Sequence, residues 1–236
     1  FGADLSHRLG VPASIDSDVN LVTLAEHWFG QARGLNDFLV VNVERSLGLG
    51  ILHNGELFRG ANGLSPDLGD LMVRPSGGGG RLADVASEAS VLIEAEALLR
   101  EGEADARLHQ GRAMALLLKR AAAGDKRCAH VLAAAGEALG FAVAGLITLF
   151  APPKVIVSGR AMATSDHFIE PLRNAVAALL PASLADVSDI IVREWNDGNW
   201  VQGAAAMTLR DLYGAPWGTT GPAPIREAAL PPLGES

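Results

Sequence analysis

Apolar positions along the chain alternate between two periods, and each change of period marks a predicted element. After a short strand at Ala13–Ile15, "DSDVNLVTLAEHWFGQARG" places Val19, Val22, Leu24, Ala25, Trp28 and Phe29 at helical spacing. Asp and Ser stand at its N-cap-like start and Gly34 at its end. "DFLVVNVE" is a near-continuous apolar run, as a buried strand requires. "LGLGILHNGELFRG" carries Asn54-Gly55 between two alternating segments, which is a strong hairpin signal.

From Leu82 the period becomes helical for about seventy residues, in three segments. "LADVASEASVLIEAEALLREG" and "ADARLHQGRAMALLLKRAAAGD" each end near glycine. "RCAHVLAAAGEALGFAVAGLITLF" runs until Pro152-Pro153 stops it, with Leu139, Val143, Leu146, Ile147 and Phe150 on one face. Its Gly136, Gly140 and Gly145 leave room for a neighbouring element. "KVIVSG" then reads as a strand, "SDHFIEPLRNAVAALL" as a helix, "SDIIVREW" as a strand and "GNWVQGAAAMTLRDLYG" as a last helix. Strands alternating with helices predict a largely parallel sheet with crossover helices. The Pro/Gly-rich tail after the last helix is expected to be loosely held.

Composition narrows the function classes. With 236 residues, 49% hydrophobic and 19% charged, the chain has the make-up of an α/β protein with a substantial core. A formal charge of −8 argues against a grip on phosphate backbones by this segment. The single cysteine, Cys128, excludes an internal disulfide and any multi-cysteine metal site. No secretory leader is recognisable, and the longest apolar stretch, "FAVAGLITLF", is short for a bilayer span, so a cytoplasmic protein without membrane contact is expected.

The order and spacing of "VPASIDSDVNLVTLAEHWFGQARGLNDFLVVNV", "LGLGILHNGELFRGANG", "APPKVIVSGRA", "FIEPLRNAV" and "GNWVQGAAAMTLRDLY" resemble the ROK family of repressors and sugar kinases, from about Leu9 to Pro216. The resemblance implies the actin-like, sugar-kinase (ribonuclease H-like) fold, with two α/β lobes and a cleft between them. It further implies that residues 1–62 are the remainder of an N-terminal lobe, 63–200 a complete C-terminal lobe, 201–216 a helix returning to the N-terminal lobe, and 217–236 a tail. The family's first phosphate loop, and the winged helix-turn-helix of its repressor members, have no counterpart here, so the chain is expected to be N-terminally truncated.

The family's chemistry maps onto this chain unevenly. Kinase members begin the first helix with Asn-Asp, the Asp serving as general base; here the pair is Ser17-Asp18. Both residues are also good helix caps, and Asp18 can serve both purposes. The second phosphate loop, Gly-Thr-Gly in kinases, is occupied by Glu44, Arg45 and Ser46, and a glutamate there repels phosphate. Arg160 follows Gly159 where kinases place glycines beneath the adenosine. Asn62 in "RGANG" stands at a cleft-lining position. The family's Glu-x-Gly-His becomes Asp67-Leu68-Gly69-Asp70, its cysteine loop becomes "RPSGGGGR", and its last sugar-binding Glu becomes Ala83. Asp67 and Asp70 are either ligands for a polyol or amino sugar or solvated loop acids. Gly77–Gly80 lacks the lysine and spacing of a phosphate loop and reads as a filler for the lost zinc loop.

These substitutions imply no cofactor: zinc is expected to be absent and ATP binding is not expected. Three functions remain. The one favoured is the non-enzymatic effector-sensing and dimerising module of a NagC/XylR-type transcriptional repressor. It would bind a sugar or sugar derivative through Ser17, Asp18, Asn62, Asp67 and Asp70, act as a homodimer, and reach DNA only through a missing N-terminal winged helix. The alternatives are an active hexose kinase and a ligand-independent dimerisation scaffold.

Overall fold

The computed structural model describes residues 2–60, 65–73, 80–100, 110–194 and 197–213. A short helix α1 (Gly2–Leu9) leads to α2 (Asp18–Trp28), then to the strands β1 (Phe38–Val43), β2 (Leu47–His53) and β3 (Glu56–Leu57). A small ribbon follows, β4 (Met72–Val73) with β5 (Gly80–Arg81), and then α3 (Ala83–Ala86), α4 (Glu88–Arg100), α5 (Gln110–Ala122) and α6 (Lys126–Phe150). The chain continues through β6 (Lys154–Gly159), α7 (Asp166–Leu179), β7 (Asp189–Glu194) and α8 (Asp197–Tyr213).

Five strands form one sheet in the order β3-β2-β1-β6-β7. Every position of β1 is buried, and all but Asn42 are apolar, which makes it the natural centre, covered on both faces. Leu39, Val41 and Val43 face α6 and α7, together with Val155 and Val157 of β6. Phe38, Val40 and Ile156 face the opposite way, into a core shared with Val22, Leu24 and Trp28 of α2 and Ala206 of α8. The result is helix layer, sheet, helix layer. β1 pairs in parallel with β6, and β6 with β7, while the Asn54-Gly55 hairpin makes β1–β2 and β2–β3 antiparallel. Asn54 and Gly55 both take positive φ (52° and 75°), as that turn demands.

Close approaches fix the helix layers. α2 lies against β2 at Gly48 and Gly50, where added carbons would strike Val19 and Thr23. α6 meets α7 at Gly136 and Gly140, which lie beneath the carbonyls of Phe168 and Leu172. Gly145 faces open space, so of the three glycines expected to admit a neighbour only two do so. Gly203 of α8 lies on the backbone of Leu21 in α2, and Arg210 of α8 pairs with Glu56 of β3.

Four further expectations are corrected. Residues 13–15 form no strand; Val11 and Ile15 are exposed and the segment has no ladder partner among the described residues. α2 stops at Trp28, before Gly34, because the next N–H groups leave the helical ladder: Gln31 N turns to the Glu26 side chain and Ala32 N to the Glu26 carbonyl. The helix expected from Leu82 is broken at Ser87, whose extended backbone separates α3 from α4 and whose Oγ accepts from Ser90 N, starting the second helix. α6, finally, is long and apolar enough in composition to cross a membrane, with mean hydropathy 1.8, but 67% of that window is buried inside the fold, as in a core helix. The strands β1, β2 and β3 share one sheet with β6 and β7.

His27 carries a testable consequence of this packing. Its ring is buried against Phe38, at 6.0 Å between centroids. Burial, with the nearby Arg210 charge, pushes its pKa down to about 4, against a weaker upward pull from a backbone hydrogen bond at Leu35. The unfolded chain therefore takes up this proton first as pH falls. The stabilising effect of a neutral His27 is complete above about pH 6.5 and is lost between there and pH 4, a loss of about 3 kcal/mol. Urea unfolding of the wild type and of His27→Gln across this range should give curves that converge on acidification. Parallel curves would disprove the assignment.

Candidate functional site

The first turn of α2 is the best-built polar site among the described residues. Ser17 adopts the extended geometry of an N-cap (φ −71°, ψ 150°) and its Oγ accepts from Asn20 N at 3.4 Å. The same Oγ lies 2.6 Å from Ser65 Oγ, which brings the segment after residue 64 against the start of α2. Asp18 is exposed, with Oδ1 accepting from Val19 N at 2.7 Å. The cap and ligand readings of Ser17 and Asp18 are therefore compatible in geometry.

Asp16 was not among the candidates, yet it organises this corner. Its side chain is only 4% exposed. Oδ1 accepts from Ser17 N (2.8 Å) and from Asn20 Nδ2 (2.6 Å), while Oδ2 pairs with Arg59 at the end of the hairpin. One buried carboxylate thus orients the residues on either side of Asp18 and ties β3's exit to the helix start. The sequence signal was an Asp four residues before a buried Asn, which is visible only once burial is known.

The other predicted ligands that are described have partners of their own. Asp67 is exposed and its Oδ1 accepts from Gly69 N at 3.0 Å, a local Asx turn. Asp70 is exposed and pairs with Arg81 (3.2 Å), which also binds Asp84. Arg81 thus draws Asp70 toward β5 and α3. Ala83 N donates to Gly69 O at 2.9 Å, fixing the turn between these two acids. Asn62 and Gly77–Gly79 lie outside the described residues; Gly80 pairs with Val73.

The residues do not fit the family's zinc. His is replaced by Asp70, already bound to arginine, and the neighbouring loop holds no thiol. Cys128 is buried at the start of α6, where its Sγ donates to Asp125. Among the described residues no group of three potential metal donors is found. Tetrahedral zinc needs four such donors in a shell.

On the far side of the sheet's C-terminal edge, Glu44, Arg45 and Ser46 form the tight turn between β1 and β2, with Glu44 N donating to Ser46 O at 3.1 Å. Arg160 Nε stands 3.8 Å from Glu44 Oε1. Gly159 is packed beneath this pair: an added carbon would press on Val43 O and Ala163, both at 2.5 Å. The pair flanks a cleft of about 330 Å³, lined by Arg45, Glu88 and Arg160 over apolar Leu92 and Met114. Burial raises the pKa of Glu88, with help from the Glu44 charge and against Arg160. Two guanidiniums and the Glu88 carboxylate therefore line this cleft, with Glu44 held against Arg160.

A three-layer α/β unit with this strand order and this polar helix start belongs with the actin-like, sugar-kinase fold. The chain is a member of the ROK family, whose model matches residues 1–211. It is 26% identical over 222 residues to a xylose repressor of Caldicellulosiruptor bescii, covering 90% of this chain and 56% of the relative. It is also 27% identical over 212 residues to a glucokinase of Halalkalibacterium halodurans, covering 84% of this chain and 64% of the relative. The crystal structure of a ROK family transcriptional regulator, a homolog of the E. coli MLC protein, superposes with a TM-score of 0.74 at 21% identity, over 88% of this chain and 54% of that one. The chain thus spans about half the length of the repressors it matches. A sugar-binding role fits this family, in which repressors and kinases share one fold.

Proposed function

We propose that the chain is the effector-sensing and dimerising part of a NagC/XylR-type transcriptional repressor, binding a sugar or sugar derivative at the start of α2 and lacking kinase activity. The observation that supports this reading is the Glu44–Arg160 pair: a glutamate stands in the turn that the family resemblance assigns to ATP phosphates, and it engages the arginine that follows Gly159. Ser17 and Asp18 are the ligand contacts in this reading, joined by Asn62 and Asp67; Asp70 has the weaker claim because Arg81 holds it. Effector binding would shift an equilibrium between cleft conformations, and a homodimer would pass the change to DNA-binding heads outside this chain. No zinc, ATP or membrane enters the scheme, and the site of action is the cytoplasm. One observation favours hexose kinase as the alternative: Asp18 is exposed at the family's general-base position.

Two measurements separate the readings. Thermal-shift screening of the full-length protein against hexoses, pentoses, amino sugars and their phosphates should find a ligand. At a hundred times its Kd that ligand adds about 2.7 kcal/mol of stability, and Asp18→Ala should remove the shift. A coupled ADP-release assay with the same sugars should show no turnover; turnover lost in Asp18→Ala would establish the kinase. No shift with any sugar would leave a dimerisation scaffold.

A further inference from the structure

Three buried side chains near the first turn of α2 share an unmet chemistry. Asn20, Asn42 and Ser158 are 1%, 3% and 1% exposed. Asn20 Oδ1, Asn42 Oδ1 and Ser158 Oγ are all buried without a hydrogen-bond partner in the protein. Such atoms are costly in isolation, about 1–3 kcal/mol each, and native folds rarely tolerate several together.

The topology places them side by side. Asn42 and Ser158 are register partners on the parallel strands β1 and β6. Paired residues of neighbouring strands project from the same face at a strand spacing of about 4.8 Å. Val40 and Ile156, two residues earlier on each strand, lie in the core beneath α2, so Asn42 and Ser158 face α2 as well. Gly48, the β2 partner of Asn42, is the residue under Val19. Asn20 stands two helical turns before His27, which packs on Phe38 of the same strand face; Asn20 is thereby carried over the Asn42 end of β1.

Hydrogen-bonding capacity then names the ligand. Asn20 Nδ2 is fixed on the Asp16 carboxylate, which can only accept, so Asn20 presents its oxygen. Two amide oxygens cannot satisfy one another, and the single hydroxyl hydrogen of Ser158 cannot serve both. A small molecule with two donors and an acceptor satisfies all three at once. We propose that Asn20, Asn42 and Ser158 form an internal binding site for one water molecule, which donates to the two amide oxygens and accepts from Ser158 Oγ. Three hydrogen bonds are the usual complement of a buried water. A sugar hydroxyl donates only once. The water joins the first turn of α2, which carries Ser17 and Asp18, to the two strands that deliver Glu44 and Arg160 two residues further on. The assignment stands independently of the proposed function.

Ser158→Ala tests it in the protein as it exists. Loss of one of the water's three bonds should lower the thermal midpoint by about 2–4 °C. An unchanged or raised midpoint, the result expected when an orphaned hydroxyl is removed, would overturn the proposal. A high-resolution crystal structure of the wild type is the second readout. A single water peak at about 3 Å from all three atoms is expected. Direct protein partners for Ser158 Oγ, or no peak, would overturn it even if Ser158→Ala fails to fold.

Discussion

Replacing Gly136 by valine is expected to leave no recoverable folded protein, and Gly136→Ala to cost about 3 kcal/mol. The reason is the character of the obstacle. A β-carbon at position 136 would fall inside the radius of the Phe168 carbonyl oxygen, and at 140 it would stand 2.6 Å from that of Leu172. Both obstacles are backbone of α7, so no side-chain rotation relieves them; the two helices must move apart. Phe168 and Leu172 are fully buried, and separating the helices would open the core between α6, α7 and the sheet. Gly145, on the same helix but facing open space, is the control: Gly145→Ala should be neutral or stabilising by up to about 1 kcal/mol through helix propensity. Urea midpoints for the two alanine variants measure both effects. Equal midpoints would show that propensity, not the α6–α7 approach, governs position 136.

That contrast marks what the sequence could disclose. Gly136, Gly140 and Gly145 look alike in a helical apolar pattern, and only the packing of α7 distinguishes them. The central strands were legible because β1 and β6 are buried on both faces and need continuous apolar runs. The predicted strand at 13–15 failed for the opposite reason: two or three apolar residues make a strand only when a partner supplies the ladder, and none of the described residues does. In the site, Ser17 and Asp18 were readable because capping chemistry is local. The division of labour among the carboxylates was not. Asp70 turns to Arg81 eleven residues on, Asp67 closes its own turn, and Asp16 is buried by Arg59 from forty-three residues away. All are acidic residues in polar surroundings, and long-range partners decide which is a ligand, a cap or a brace. The meeting of Glu44 with Arg160 was not readable either, because it arises through the parallel pairing of β1 with β6.

The pairing of Asp16 with Arg59 supports the second large effect. Arg59→Ala is expected to destabilise the fold by about 3 kcal/mol and to weaken binding of any sugar that shifts the wild type by at least about tenfold. Removing Arg59 leaves the Asp16 carboxylate buried with only Ser17 N and Asn20 Nδ2 as donors. The cost sits at the lower end for a broken buried pair, because the guanidinium is 40% exposed and was never fully desolvated. The binding loss has a separate origin. Arg59 fastens the exit of the hairpin to the start of α2, and Ser65, six residues on, lies against Ser17. Without that anchor the wall carrying Ser65 and Asp67 is free to move away from Asp18, and the ligand must order it again on binding. Asp16→Asn combined with Arg59→Ala replaces the stranded charge with a neutral amide. It should recover much of the stability while leaving the affinity low. A double mutant restored in both respects would show that Arg59 acts only by neutralising Asp16. An Arg59→Ala protein as stable and as tightly binding as wild type would remove the pair from any role in the site.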